Sequence, residues 1–253
     1  MASEVAHGAA PKLDPLHHFQ VVKVVPISLF GLDLSITNST IWMWLAIAAL
    51  YAFFHFAFKN STKVPGRLQS VGEVLFLFVK GIVDSTVGGD EAKRYFPYIF
   101  GLFLLVMGCN LIGLIPGSFT ATSQLAVTGT LAMGVFIFAT GLGFKRHGAH
   151  YLHFFVPSGL PKLLLPLMVP IEIISYLARP VSLSVRLFAN MTAGHTVLAV
   201  LFFFSATLPW FGNWLPFGFA VIFTAVEIFI GIIQAYIFTI LTCVYINDAI
   251  HMH

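Results

Sequence analysis

Residues 162–206 read KLLLPLMVPIEIISYLARPVSLSVRLFANMTAGHTVLAVLFFFSA, an apolar run with few breakers beyond Pro166, Pro170, Pro180 and Gly194. As one α-helix it would extend roughly 67 Å, about twice the ~30 Å of a bilayer's hydrocarbon, so it cannot stand upright in a membrane. Residues 217–247 repeat the excess at roughly 46 Å. The piece between, Leu208 to Phe217, holds the turn formers Pro209, Gly212, Asn213 and Pro216. A long, steeply tilted helical hairpin is expected, unless Pro166, Pro170 and Pro180 kink it into shorter pieces.

Outward from the hairpin, three further apolar runs predict upright spans at residues 41–58, 96–115 and 124–144. Pro116, Gly117 and Ser118 form a turn between the last two. Residues 65–87 differ. Gln69, Glu73, Lys80 and Asp84 fall in one sector at 100° per residue, while Val71, Val74, Leu75, Phe78 and Ile82 fall opposite, which predicts a helix lying in the membrane surface. The expected fold is thus an all-α membrane protein in a single domain over residues 1–253. It has five transmembrane helices, two forming the tilted hairpin, plus one amphipathic interfacial helix; residues 1–38 form an N-terminal segment on the outer side.

Orientation follows from the basic residues, which accumulate in short cytoplasmic loops. Lys59, Lys63, Arg67, Lys80, Lys93 and Arg94 surround the surface helix, and Lys145, Arg146 and Lys162 follow the third span. The connections at 116–123 and 207–216 have no basic residue, and Trp42, Trp44, Trp210 and Trp214 then gather at the outer interface. The N-terminus is expected outside and the C-terminus in the cytoplasm, the chain being a multi-pass membrane protein.

Composition excludes several classes. With 58% hydrophobic and 9% charged residues, the chain is far from the about 25% charge of soluble domains. The net charge of +3 forms no basic stripe, so no nucleic-acid partner is expected. Cys109 and Cys243 lie in different apolar segments and suggest neither a disulfide nor a metal site. His17, His18, His147, His150, His153, His251 and His253 have no coherent ligand spacing, and there is no phosphate-binding loop; no metal and no cofactor is expected. The opening residues lack the basic-then-apolar pattern of a cleaved signal peptide.

The hairpin carries Glu172, Arg179, Arg186, His195 and Glu227, together with Ser182, Asn190 and Gln234. In the first three spans Asn110 is the main polar group. A charge at the bilayer centre costs at least ~2.5 kcal/mol, so these groups should face protein or water. Folding the hairpin about residue 211 sets His195 level with Glu227 and Arg186 nearly level with Gln234, and puts Glu172 near the inner surface beside Asp248. From outside inward the order is a His and Glu pair, then Arg186 with Gln234 and Asn190, then Ser182, Arg179 and Glu172. His and Glu can exchange protons near neutral pH, whereas a guanidinium keeps its proton. That order describes two half-channels separated by a fixed cation. Ser182, Arg186 and Asn190 share a helix face; His195, nine positions beyond Arg186, points opposite. The same charges also fit buried ion pairs, Glu172 with Arg179 or Glu227 with Arg186, and the amides fit plain interhelical hydrogen bonds.

The segment Pro180-Val181-Ser182-Leu183-Ser184-Val185-Arg186-Leu187-Phe188-Ala189-Asn190-Met191 closely resembles the hallmark of F-type ATP synthase subunit a. The resemblance extends to Gln234 and Thr239 and to Asn110-Leu111-Ile112-Gly113-Leu114-Ile115-Pro116, and covers most of the chain from about residue 40. It implies that Arg186 faces a ring of c subunits and keeps each passing carboxylate ionised. By the same resemblance His195, Glu227, Asn190 and Gln234 line the inlet from the outer side, and Ser182 and Glu172 the outlet, with Arg179 and Asn110 in secondary places. The implied partners are the c-ring, b-type peripheral stalk subunits, the rest of the complex, protons and the lipid bilayer. Many bacterial members carry an acid where His195 stands and a His where Glu227 stands, so this chain looks like the exchanged, mitochondrial-type arrangement. A stand-alone transporter is the competing class, since broken helices with midplane charges occur there too, but it predicts internal repeats that this sequence lacks.

Overall fold

The computed structural model describes residues 23–26, 28–29, 32–33, 35–59, 64–115, 118–148, 150–151 and 165–251. Pro116, Gly117, Lys63, Lys162, His17, His18, His153, His253 and most of the N-terminal segment lie outside them. Ahead of the helices, β1 (Lys23–Val25) pairs antiparallel with β4 (Ile36–Thr37), and β2 (Ser28–Leu29) with β3 (Leu32–Asp33).

Six α-helices follow: α1 Asn38–Phe58, α2 Arg67–Thr86, α3 Gly89–Gly113, α4 Leu125–His147, α5 Leu165–Thr207 and α6 Trp210–Ile250. Among the described residues, all except α2 are long and apolar enough to cross a membrane. The protein is an all-α membrane protein with five such helices.

α5 runs unbroken for 43 residues with Pro170 and Pro180 inside it, so the prolines do not divide it. At about 65 Å it exceeds the ~30 Å hydrocarbon twofold and must lie steeply inclined, as must the 41-residue α6 packed along it. The turn between them is shorter than the expected Leu208–Phe217. Helix resumes at Trp210, with Gly212 N–H bonding Pro209 O at 2.7 Å and Pro216 taken inside α6. Gly212 falls in the first turn, where backbone N–H groups lack helical acceptors, whereas Pro216, the seventh residue, is inside α6 and removes one helical hydrogen bond, the one to Gly212 O.

α3 forms the centre of the bundle. Ile99, Phe103 and Val106 are buried among Val79 and Val83 of α2, Ala132 and Val135 of α4, Leu183 and Leu187 of α5, and Ala235, Phe238 and Ile246 of α6. α4 buries Thr128, Ala132, Val135, Ala139 and Gly143, a stripe of mostly small residues at helical spacing. Without a hydrophobic drive in lipid, such stripes let helices approach closely and gain dispersion contacts. Acidic Glu91 in the first turn of α3 pairs with Arg146 in the last turn of α4, which puts opposite charges at complementary ends of two helix dipoles and ties those ends together.

α2 is the amphipathic interfacial helix. Val79, Ile82 and Val83 pack inward, while Leu68, Val71, Val74, Leu77 and Phe78 remain exposed along one edge. That edge suits the boundary between headgroups and acyl chains. Gln69, expected on a polar outer face, is instead buried and bonds Glu73 at 2.7 Å, because Gly72 lets α2 close on the Phe58 ring.

Candidate functional site

α5 turns two chemically different faces in opposite directions. Leu183, Leu187 and Met191, at spacing four, are buried in the bundle. Ser182, Arg186 and Asn190, one position off that stripe, are exposed. The register is held by Ser184, whose hydroxyl meets that of Thr128 at 3.2 Å across the interface with α4. Arg186 therefore lies on the exposed face of α5 and not in the packed interface. Among the described residues it makes no ion pair or hydrogen bond, and neither does Glu172.

His195 faces inward, toward α6, and the structure brings it to Glu227: Nδ1 lies 3.7 Å from Oε1. Glu227 is only 1% exposed, and neither of its carboxylate oxygens has a hydrogen-bond partner among the described residues. Buried polar atoms without partners are uncommon and cost stability, which a purely structural role does not explain. Close approach here depends on Gly194, because a Cβ at that position would stand 2.5 Å from Glu227 Oε1. Two turns further along α6, Gln234 Oε1 accepts from Asn190 Nδ2 at 2.9 Å. Asn190 and Gln234 thus link the inward pair to the outward face that carries Arg186.

A group of residues without a sequence signal completes this end. The segment 118–123 between α3 and α4 does not stay in the aqueous phase but folds into the bundle, where Phe119, Thr120, Ala121, Thr122 and Ser123 are all buried. Thr120 Oγ1 meets His195 Nε2 at 2.6 Å and Gly113 O at 3.1 Å. Thr122 donates to Asn110 Oδ1 at 2.8 Å, and Asn110 Nδ2 donates to Gly231 O at 3.0 Å. Asn110 is therefore a cross-link between α3, this segment and α6. The only hint in the sequence is a run of hydroxyls, Thr120, Thr122 and Ser123, next to Asn110.

At the opposite end of the hairpin, Arg179 pairs with Asp248 at 2.9 Å, both about one-third exposed. Neither ion pair considered from sequence, Glu172 with Arg179 or Glu227 with Arg186, forms. The Arg179 guanidinium lies 5.6 Å from the Tyr176 and Tyr245 rings. Tyr176 OH bonds Thr140 at 2.7 Å and Tyr151 OH at 3.0 Å. Burial, and then the Tyr176 hydroxyl, push the Tyr151 phenol above its ordinary value, so it stays a neutral partner. A cavity of about 10 Å³ beside these groups has roughly the space of one water. At 1.5 Å per residue, Arg186 sits roughly 13 Å from His195 and about 10 Å from Arg179 along α5. It stands between two polar clusters.

Comparison with known proteins decides the family, since a model described as "ATP synthase A chain" matches residues 40–247. The chain belongs to the ATP synthase subunit a family. ATP synthase subunit a of Magnetococcus marinus is 64% identical, with both chains covered completely. That of Rhodospirillum rubrum is 50% identical over 94% of this chain and 99% of its own. The subunit a of Pelagibacter ubique is 46% identical over 95% and 98% respectively. As a subunit a, this multi-pass membrane chain is one part of a multi-subunit assembly, and an exposed Arg186 without an ion pair among the described residues is consistent with that. The match includes all of the residues from Asn110 to Gln234 discussed above.

Proposed function

We propose that this chain conducts protons through two half-channels in the membrane sector of an F-type ATP synthase and couples their passage to rotation of a c-ring. The observation that carries the reading is Arg186: exposed, without an ion pair in its own chain among the described residues, and flanked at unequal depths by two clusters of ionisable and hydroxyl groups. A guanidinium does not lose its proton, so it repels a proton midway and blocks a continuous leak. Traffic is forced onto a carboxylate of the passing ring.

Protons reach His195 and Glu227 from the outer side and pass along Asn190 and Gln234 to the ring. After nearly a full rotation they leave past Ser182 and Glu172, with Arg179 positioned by Asp248. A gradient worth ~2.3 kcal/mol per charge per 100 mV supplies the drive. The basic residues Arg67, Lys80, Lys93, Arg94, Lys145 and Arg146 gather at the end away from the α5–α6 turn, which favours a cytoplasmic C-terminus, and the relatives' bacterial sources favour the inner membrane. The c-ring is the partner for the Arg186 face, and b-type stalk subunits hold the chain against it.

The test is Arg186→Ala in the complete complex. ATP-driven proton pumping into inverted vesicles should disappear while the subunits still assemble. Arg186→Lys should also fail, because an ammonium deprotonates when desolvated and lacks the planar fork. Normal pumping by either assembled variant would remove Arg186 from the mechanism.

A further inference from the structure

His195 has two nitrogens, and they face different chemistry. Nδ1 looks at Glu227 Oε1, and Nε2 lies 2.6 Å from the Thr120 hydroxyl. Which nitrogen carries the proton of the neutral ring depends on what Thr120 does with its single hydrogen.

That hydrogen has an acceptor elsewhere. Gly113 is the last residue of α3, so its carbonyl has no helical donor, and Thr120 Oγ1 stands 3.1 Å from it. Ser118 also approaches Gly113 O at 2.9 Å and Ile112 O at 2.8 Å, the latter already accepting from Ile115 N–H; with two lone pairs, the Gly113 carbonyl can accept from both hydroxyls. The contact is built closely: a Cβ on residue 113 would lie 2.5 Å from Thr120 Oγ1, so only glycine lets the hydroxyl reach this carbonyl. A carbonyl cannot donate. Once Thr120 gives its proton to Gly113 O, it offers His195 only a lone pair, and Nε2 must be the nitrogen that bears hydrogen.

We propose that Thr120 is a positioning residue that holds neutral His195 as the Nε2–H tautomer, so that the basic Nδ1 always faces Glu227. This rests on reading His195 and Glu227 as the inlet pair. Transfer is then one-sided: when the side chains close their 3.7 Å separation to hydrogen-bond reach, the O–H bond of protonated Glu227 breaks and an Nδ1–H bond forms, leaving a carboxylate and an imidazolium. Nε2–H stays bonded to Thr120 Oγ1 throughout, and the hydroxyl need not rotate. The proton returns from the same nitrogen. His195 is a side station for Glu227 and not a wire through which protons pass from one nitrogen to the other.

The experiment uses the complete complex with ¹⁵N-histidine in this chain, the His195 signals being assigned by their loss in His195→Gln. Solid-state NMR, taken up in pH until the ring is neutral, should find hydrogen on Nε2. Thr120→Val, which keeps the shape and removes the hydroxyl, should move the neutral ring toward Nδ1–H, which can donate to Glu227, and slow pumping about five- to tenfold. Thr120→Ser should keep the native tautomer and most of the rate. In a His195→Gln background, Thr120→Val should cost nothing further. A neutral His195 with hydrogen on Nδ1 in the unaltered complex would overturn the proposal, as would Thr120→Val with tautomer unchanged. If Thr120→Val does not assemble, the unaltered complex and Thr120→Ser still decide. Normal pumping by His195→Gln would instead defeat the inlet reading, and the tautomer result is independent of it.

Discussion

A single methyl group tests the geometry of the proposed inlet pair. Gly194 exists as glycine because Glu227 Oε1 occupies the place of its Cβ. Gly194→Ala should therefore push the carboxylate away from His195 and slow ATP-driven pumping by about an order of magnitude, the scale attached to displaced proton-transfer groups. Shortening the acid by one methylene, as Glu227→Asp, should recover part of the rate in the Gly194→Ala background while slowing the parent. Additive losses in the double variant would mean that contact between the two positions does not matter. Glu227→Gln isolates the charge: assembly should survive, and proton uptake should slow at every pH tested. Unchanged pumping would take Glu227 out of the path. The proximity of His195 to Glu227 was legible in the sequence because antiparallel arms set residues at equal distances from the turn side by side. The contact of Thr120 with His195 was not, since it joins residues 75 positions apart through a segment with no periodic pattern.

At the scale of helices, the same arithmetic drifts with distance from the turn, and the drift has a cause. Folding about residue 211 sets Arg179 level with Cys243, yet Arg179 reaches Asp248 at 2.9 Å. Five residues are about 7 Å of helix, which an extended arginine spans, and a slight crossing of the arms supplies the rest. The hairpin itself was readable because two runs too long for an upright helix leave no other solution. Its tight turn was less so, because Gly212 and Pro216 look like loop residues, yet α6 includes both. Asp248 fastens the far end of α6 to α5, and Asp248→Asn would leave Arg179 with a neutral amide. Since the pair is about one-third exposed, the cost should lie between the ~1 kcal/mol of a surface pair and the ~3 kcal/mol of a buried one. The temperature at which the purified complex dissociates should fall measurably. A variant as stable as the parent would show that the aromatic rings of Tyr176 and Tyr245 alone suffice to hold Arg179.

For the molecule as a whole, the exposed side of α5 cannot be a lipid surface along its full length. Val181, Val185 and Val197 would suit acyl chains, but Ser182, Arg186 and Asn190 lie among them, and a guanidinium facing hydrocarbon costs at least ~2.5 kcal/mol. Covering that face with a partner that presents a carboxylate removes the cost and supplies the missing carrier between the two clusters. The isolated chain should then be a poor conductor, because each cluster ends on the same fixed cation and neither communicates with the other. Reconstituted alone, with a potential of about 100 mV imposed, it should pass no more protons than empty liposomes; adding the ring should raise flux in proportion to assembled complexes, and Arg186→Ala should uncouple that flux from rotation. Autonomous proton or solute transport by the purified chain would place the carrier inside this subunit and turn the functional reading toward a self-sufficient transporter. The arrangement of charges argues against that outcome: an internal carrier would need a proton-exchanging group within reach of both ends, and the position between them is held by the Arg186 guanidinium, a fixed cation.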